Sequence, residues 1–336
     1  MLASVLAGLG VACAPVAQGA VQPRAGTAAA ASANIRIAGV TYTEAKPWLT
    51  RLGYKVAYDP AKKVLSATST AGRIEFTGDS REASVYGVRV FLGEPATVHK
   101  GALMVSAIDV ERFLRPLLQP SSVARRPLRT IVIDPGHGGN DSGTQNKPGK
   151  IDEKVMTLDV AKRLQGLLAA SGYRVIMTRT DDRFVELPDR AEIANKAKAD
   201  LFISIHFNAV PGGQAVRGTE TYVLTSQNQR STSSAASSPA DKEPQPGNRH
   251  DAWNAVLGWQ LHRKLLGKLK TEDRGYKRAR FAVLRLVECP GVLVEAGYLS
   301  NDAEAKRIAT PGYRGDIAEA IAAGVEAYAA AVTTAK

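Results

Sequence analysis

Cysteine is scarce in this chain: 336 residues contain two, Cys13 and Cys289. Cys13 lies in an N-terminal stretch that reads as a targeting segment, so a processed chain would keep one thiol and form no internal disulfide. A four-thiolate zinc site is excluded for the same reason. Histidine is nearly as rare, with His99, His137, His206, His250 and His262 the full set. Any metal must therefore be held by a few His, Asp and Glu residues. Beyond the N-terminus, no run approaches the ~20 apolar residues that a membrane span needs, so no transmembrane segment is expected. The composition also lacks the biases of collagen, coiled coils or wholesale disorder.

What is present is a chain with 44% hydrophobic residues, long enough for one large core or two smaller ones. Its formal net charge is +12. Such a charge favours anionic partners at long range, among them nucleic acids, membrane surfaces and anionic wall polymers. Nucleic-acid binding would also need a basic face or groove and a recognisable motif, and no such motif is present. The first 20 residues, MLASVLAGLGVACAPVAQGA, read as the apolar part of a secretory signal with a small-x-small site at Ala17–Gly19. No Lys or Arg precedes that run, which departs from the usual signal. Cys13 raises a lipid-anchored alternative, against which Gly10 stands where a larger aliphatic residue is usual. Residues 21–33 read as a linker.

From residue 34 to 120 the pattern is a small α+β module. Trp48, Leu49 and Leu52 give residues 44–52 a helical face. Short β-like runs follow at Lys55–Tyr58, Val64–Thr68, Ile74–Thr77 and Val85–Phe91, and a helix is expected over Ile108–Leu118. Residues 121–129, polar and basic with a proline, read as a second linker. The organisation then changes. Apolar strands at Thr130–Ile133, Arg174–Met177, Leu201–Ile205, Gly218–Leu224 and Val292–Val294 are interleaved with helical stretches, including Trp253–Leu269 and Tyr313–Ala331. This predicts an α/β fold: a mostly parallel twisted sheet flanked by helices over residues 130–333. Residues 225–252, rich in Ser and Pro, are expected to form a flexible surface insertion.

Three strands end in a group with chemical potential. IVIDPGHGG places His137 after the first strand, LFISIHFNA places His206, and VLVEAGYLSN places Glu295. Ligands of open α/β sheets bind at the carboxyl ends of the strands, so these residues converge. Glu153 opens the next helix beside His137. Two imidazoles and one carboxylate, with a fourth position left to water, form a standard zinc hydrolase set. A second carboxylate then serves as the general base. Among the remaining candidates, Asn208 could orient substrate, and Arg278 and Arg280 could meet its carboxylates. Glu220 reads as a solvated strand position, Arg190 as a structural partner of a carboxylate, and Cys289 as a core-edge thiol. His250 and His262 read as surface or capping residues.

At this point the residues carry a resemblance. IVIDPGHGGNDSG, Glu153-Lys154, RVIMTR, PDRAEIANKAKADLFISIHFNA, RGYKRARFAVLR and VLVEAGYLSN resemble, in order, the zinc-dependent N-acetylmuramoyl-L-alanine amidases of the amidase-3 type. The resemblance implies one zinc ion on His137, Glu153 and His206, with Glu295 as the catalytic glutamate. It further implies peptidoglycan as substrate and a role in wall remodelling or daughter-cell separation. The chain is expected to be exported to the periplasm or cell envelope and to be monomeric, with an envelope activator protein as an additional partner. WLTRLGYKVAYDPAKKVL, IEFTGDSREASVYGVRVFLG and LMVSAIDVERFL resemble the copper amine oxidase N-terminal-like module. His99 is that module's single histidine, so no copper cluster is available, and wall targeting is the role that analogy suggests. Two other readings compete. Carboxypeptidase-like zinc enzymes place their first His and Glu only a few residues apart, whereas His137 and Glu153 are sixteen apart. A non-catalytic wall-binding protein would lack a ligand or Glu295, and none is missing.

Overall fold

The computed structural model describes residues 34–333. The signal segment, the first linker and Cys13 lie outside them. The described chain is one unit built on an eleven-stranded mixed sheet, with a second, four-stranded antiparallel sheet made from Ile35–Ile37, Val40–Glu44, Thr97–His99 and Ala102–Ser106. In chain order the strands of the large sheet are β1 (Lys55–Asp59), β2 (Val64–Ser69), β3 (Gly72–Thr77), β4 (Glu82–Val85), β5 (Val88–Phe91), β6 (Thr130–Pro135), β7 (Arg174–Met177), β8 (Leu201–Asn208), β9 (Thr219–Leu224), β10 (Asp273–Ala279) and β11 (Gly291–Tyr298). Their spatial order is β7-β6-β8-β11-β9-β10-β5-β4-β3-β2-β1.

The C-terminal half, residues 130–333, follows from its patterning. β6 is buried at every position and β8 through its first five, as strands covered on both faces must be. β6 pairs in parallel with β7 and β8, and β8 in parallel with β11. β9 is inserted antiparallel to β11. Helix α1 (Glu153–Ala170) buries Thr157, Val160, Ala161, Leu164 and Leu168, a stripe at helical spacing, and stops at Ser171-Gly172, where Gly172 takes φ +86°. Helices α2 (Leu187–Lys196), α3 (Asp251–Leu269) and α4 (Pro311–Val332) complete the layers. α4 starts on Thr310, whose hydroxyl accepts the Tyr313 N–H, with Pro311 at its first position. Among the described residues, no helix is long and apolar enough to cross a membrane.

The structure differs from the sequence expectation in three places. Val85–Phe91 is two strands, because Tyr86 and Gly87 both take positive φ (52° and 78°) and close a two-residue hairpin turn. β10 was not foreseen: its RGYKRA text is too charged to read as a strand, yet it is paired on both sides. Finally, the 225–252 segment, expected to be flexible, is irregular but tied down. The Arg81 guanidinium donates to the carbonyls of Arg230, Ser231, Thr232 and Ser234, and Arg280 donates to those of Ser226, Gln229 and Asp241.

The α+β module is joined to the C-terminal half by the sheet itself. β5 lies parallel beside β10 through Tyr276 and Val90, and Arg89 N–H donates to Asp273 at 2.8 Å. At the same junction Arg278 and Asp109 form a buried ion pair at 2.6 Å, and the Tyr86 and Trp259 rings meet edge-on at 5.8 Å. Gly275 permits the approach, since a β-carbon there would lie 2.5 Å from the Phe91 ring.

Candidate metal centre and cleft

The carboxyl ends of β6, β8 and β11 and the start of α1 meet at one edge of the sheet. β6 runs into Gly136 and His137, and His137 takes φ +61°, a conformation that a residue with a β-carbon seldom adopts without a strong local reason. Two glycines make room for the rings. A β-carbon at Gly136 would stand 2.2 Å from His206 Cε1, and one at Gly143 would stand 2.6 Å from both Glu153 Oε2 and His137 Cδ2.

In this space His137 Nε2 lies 3.1 Å and His206 Nδ1 3.0 Å from the same oxygen of Glu153. The ligand atoms of the three residues all lie within 4.8 Å of one another. Zinc–ligand bonds of about 2.0–2.1 Å imply about 3.3 Å between neighbouring ligand atoms, and the two contacts to Glu153 are near that value. The donor chemistry points the same way. His137 Nδ1 is bonded to Asp141 at 2.7 Å. With its proton there, Nε2 presents a lone pair to a carboxylate oxygen. Two acceptors face to face repel unless a cation lies between them. When both imidazoles carry their second proton instead, their hydrogen bonds and charge overcome the burial that would raise the Glu153 pKa and hold that carboxyl well below its usual range. The backbone N–H groups of Phe207 and Thr144 also donate to Glu153, at 3.0 and 2.8 Å.

Glu295 completes the group. It stands beside His206 in the β8–β11 register and opposite Glu220 in the β9–β11 register. Burial pushes its carboxyl upward, and the negative charges of Glu153 and Glu220 push it further. Together these residues line a cleft of about 780 Å³ whose walls include Asn208, Phe184, Leu187 and Phe281.

The arginines sort into other roles. Arg190 is structural, as expected: it pairs with Asp134 at 2.8 Å and donates to the carbonyls of Pro135 and His137. Arg179, which sequence reasoning passed over, is fully buried and donates to the carbonyls of Pro135, Gly136 and Lys154, fixing the turn that carries His137. Arg278 and Arg280, expected to meet substrate, lie elsewhere. Arg278 is buried against Asp109, Gln229 and the Phe91 carbonyl, and Arg280 binds Asp241 and the 225–252 segment. Neither lines the cleft. Glu220, expected to be solvated, is buried and held by Asn208, Tyr222, Lys277 and Tyr298. His262, expected at the surface, is fully buried and bonds Thr221 and Asp273. Cys289 is buried, which pushes its thiol up to about 12, far from a nucleophile's range. Phe184 and Phe281 were also missed. Their signal was faint: exposed aromatics in loops beside the two cleft-lining segments.

With this geometry established, comparison with known proteins is direct. Residues 131–327, more than half the chain, match the N-acetylmuramoyl-L-alanine amidase family. The chain belongs to this family. Residues 26–118 match the copper amine oxidase N-terminal domain. Among curated amidases, AmiC of Neisseria meningitidis is 38% identical over 61% of this chain and 53% of its own length. LytC of Bacillus subtilis is 37% identical over 59% of this chain and 35% of its own. The chain thus spans about half, or less, of these curated amidases. The crystal structure of an amidase from Clostridium difficile superposes with a TM-score of 0.50 at 33% identity, covering 60% of this chain and 96% of that one. The CwlD amidase from Clostridioides difficile, solved in complex with the GerS lipoprotein, superposes at 0.51 with 28% identity over 60% of this chain and 98% of that one.

Proposed function

We propose that this chain is a zinc-dependent N-acetylmuramoyl-L-alanine amidase that hydrolyses the amide between the lactyl group of N-acetylmuramic acid and L-alanine in peptidoglycan. The observation that carries the reading is the convergence of His137, Glu153 and His206 with Glu295 beside them. In this reading the first three hold one zinc ion, which when bound lowers the pKa of a water to about 7 and polarises the scissile carbonyl. Asp141 fixes the His137 ring from behind. Glu295, beside His206 in the strand register, takes the proton of the attacking water and returns it to the leaving amine of L-alanine as the C–N bond breaks. Phe184 and Phe281 offer apolar faces to the sugar or peptide. The place of action is the cell envelope, and an envelope activator is a fitting partner, given that a solved relative is in complex with a lipoprotein.

The test is the purified chain on peptidoglycan, with and without a chelator. Release of stem peptides bearing a free L-alanine amine, abolished by chelation and restored by zinc, is the expected result. Peptide release that is indifferent to the chelator would overturn the metal assignment. Glu295→Ala should lower kcat by about 10²–10⁴-fold while zinc content stays at the wild-type level.

A further inference from the structure

A buried carboxylate stands behind the cleft with no part in the chemistry above. Glu220, on β9, is 2% exposed and does not line the cleft. Burying a charge is costly unless it is met, and here four donors meet it. Lys277 forms an ion pair with Oε1, and the Tyr298 hydroxyl donates to the same oxygen at 2.6 Å. The Tyr222 hydroxyl donates to Oε2 at 2.6 Å and Asn208 Nδ2 at 3.1 Å. Burial would raise this carboxyl's pKa; Lys277 and the two hydroxyls prevail and hold it below the usual range.

Two of the donors, Asn208 and Tyr222, lead to the cleft. Asn208 lies on its wall, two residues beyond His206, where the β8–β11 register shifts. Its amide is fixed at both ends, since Oδ1 accepts the Ala209 N–H at 2.7 Å. The Tyr222 ring meets Phe281 edge-on at 5.2 Å, and Phe281, 39% exposed, lines the cleft. Lys277 is backed by Phe91, a module residue, with its ammonium 5.7 Å from the ring centre. Glu220 itself faces Glu295 across the β9–β11 ladder. Glu295 Oε2 has no hydrogen-bond partner among the described residues, so packing and charge must aim that oxygen.

We infer that the Glu220–Lys277 pair is the positioning hub of the cleft. It fixes Asn208 and, through Tyr222, Phe281 as the substrate-contacting walls. This rests on the amidase reading. Glu220 and Lys277 are positioning residues: they touch other side chains of the site, and their effect reaches the substrate through those.

The experiment compares the full-length wild type with Glu220→Gln, Lys277→Met and Tyr222→Phe. It measures zinc content, Tm, kcat and KM on a muramoyl-peptide, and calorimetric affinity for the released stem peptide. Glu220→Gln keeps the volume and loses the charge; kcat is expected to fall about 10–100-fold, the scale of a misplacement of the order of 1 Å, with zinc content unchanged. Tyr222→Phe, which loosens one wall, should raise KM and weaken peptide binding about fivefold with kcat nearly intact, the worth of one net hydrogen bond. Lys277→Met should lower kcat about tenfold, and it carries the same test if Glu220→Gln does not fold. The inference is overturned if Glu220→Gln and Lys277→Met match the wild type in kcat, or if their losses merely track lost zinc or lost Tm. A wild-type chain that neither cleaves the muramoyl-peptide nor binds the stem peptide overturns the amidase reading and this inference with it. A wild type that cleaves beside an equally active Glu220→Gln overturns the inference alone.

Discussion

Gly136 and Gly143 hold the proposed metal centre open, each for a steric reason visible in one distance. A methyl at 136 would press into the His206 ring at 2.2 Å, and one at 143 into Glu153 and His137 at 2.6 Å. Gly143 also takes φ +65°, where a side chain adds strain. Gly136→Ala and Gly143→Ala should therefore bind zinc more weakly by at least about tenfold, measured by competition with a chromogenic chelator. Asp141→Asn removes the charge that orients His137, and an affinity loss of about 10–100-fold is expected in the same assay. The four principal groups, His137, Glu153, His206 and Glu295, were legible because each sits where an apolar run or a helix begins or ends, and such positions cluster in an α/β sheet. Arg278 and Arg280 were misplaced because nothing local in KRARF tells whether a charged strand meets solvent or another domain. Glu220 and His262 were misread as exposed for the converse reason: Lys277 reaches Glu220 only through strand pairing, and His262 is buried because its helix packs on the strands that carry Thr221 and Asp273.

At the scale of elements, the least legible strand, β10, ties the two halves of the described chain together. β10 begins at Asp273, whose carboxylate accepts from His262 at 2.9 Å, from Gly275 N–H at 2.8 Å and from Arg89 N–H at 2.8 Å. One side chain thus ties helix α3, its own strand and the module. Burial would raise the Asp273 pKa, but these donors win and lower it. A carboxyl with a depressed folded-state pKa stabilises above its unfolded value, about 3.9, and that contribution fades as pH falls through the folded value. Acid unfolding of the wild type should therefore steepen below about pH 4, and Asp273→Asn should flatten that limb. At neutral pH the same variant should cost about 1–3 kcal/mol in denaturant unfolding, since it exchanges an acceptor for an amide amid buried donors. The β4–β5 hairpin was misread for a simpler reason: Tyr86 occupies a positive-φ turn position usually filled by Asn, Asp or Gly.

Taken whole, the molecule disagrees with the picture of two beads on a linker that a polar, proline-containing 121–129 suggests. The small α+β module and the catalytic half share a sheet, a buried Arg278–Asp109 pair and an aromatic contact between Tyr86 and Trp259. Interfaces of this kind do not permit independent domain motion. The full chain should unfold in a single calorimetric transition, with the van't Hoff and calorimetric enthalpies in agreement. Asp109→Ala, which strands a buried guanidinium, should cost about 3–5 kcal/mol and lower that one transition rather than split it; a second, separate peak would contradict the shared-sheet arrangement.

The side-by-side packing of β5 and β10 also bears on anyone who would cut this chain at its family boundary. A catalytic fragment starting near residue 130 leaves β10 as a bare edge, with Tyr276, now wholly buried, newly wetted and Arg278 without its counter-ion. Such an edge invites strand-to-strand self-association. Chimeras that graft residues 130–333 onto a different domain should therefore carry residues 34–120 with them, treating those residues as part of the blade rather than its handle.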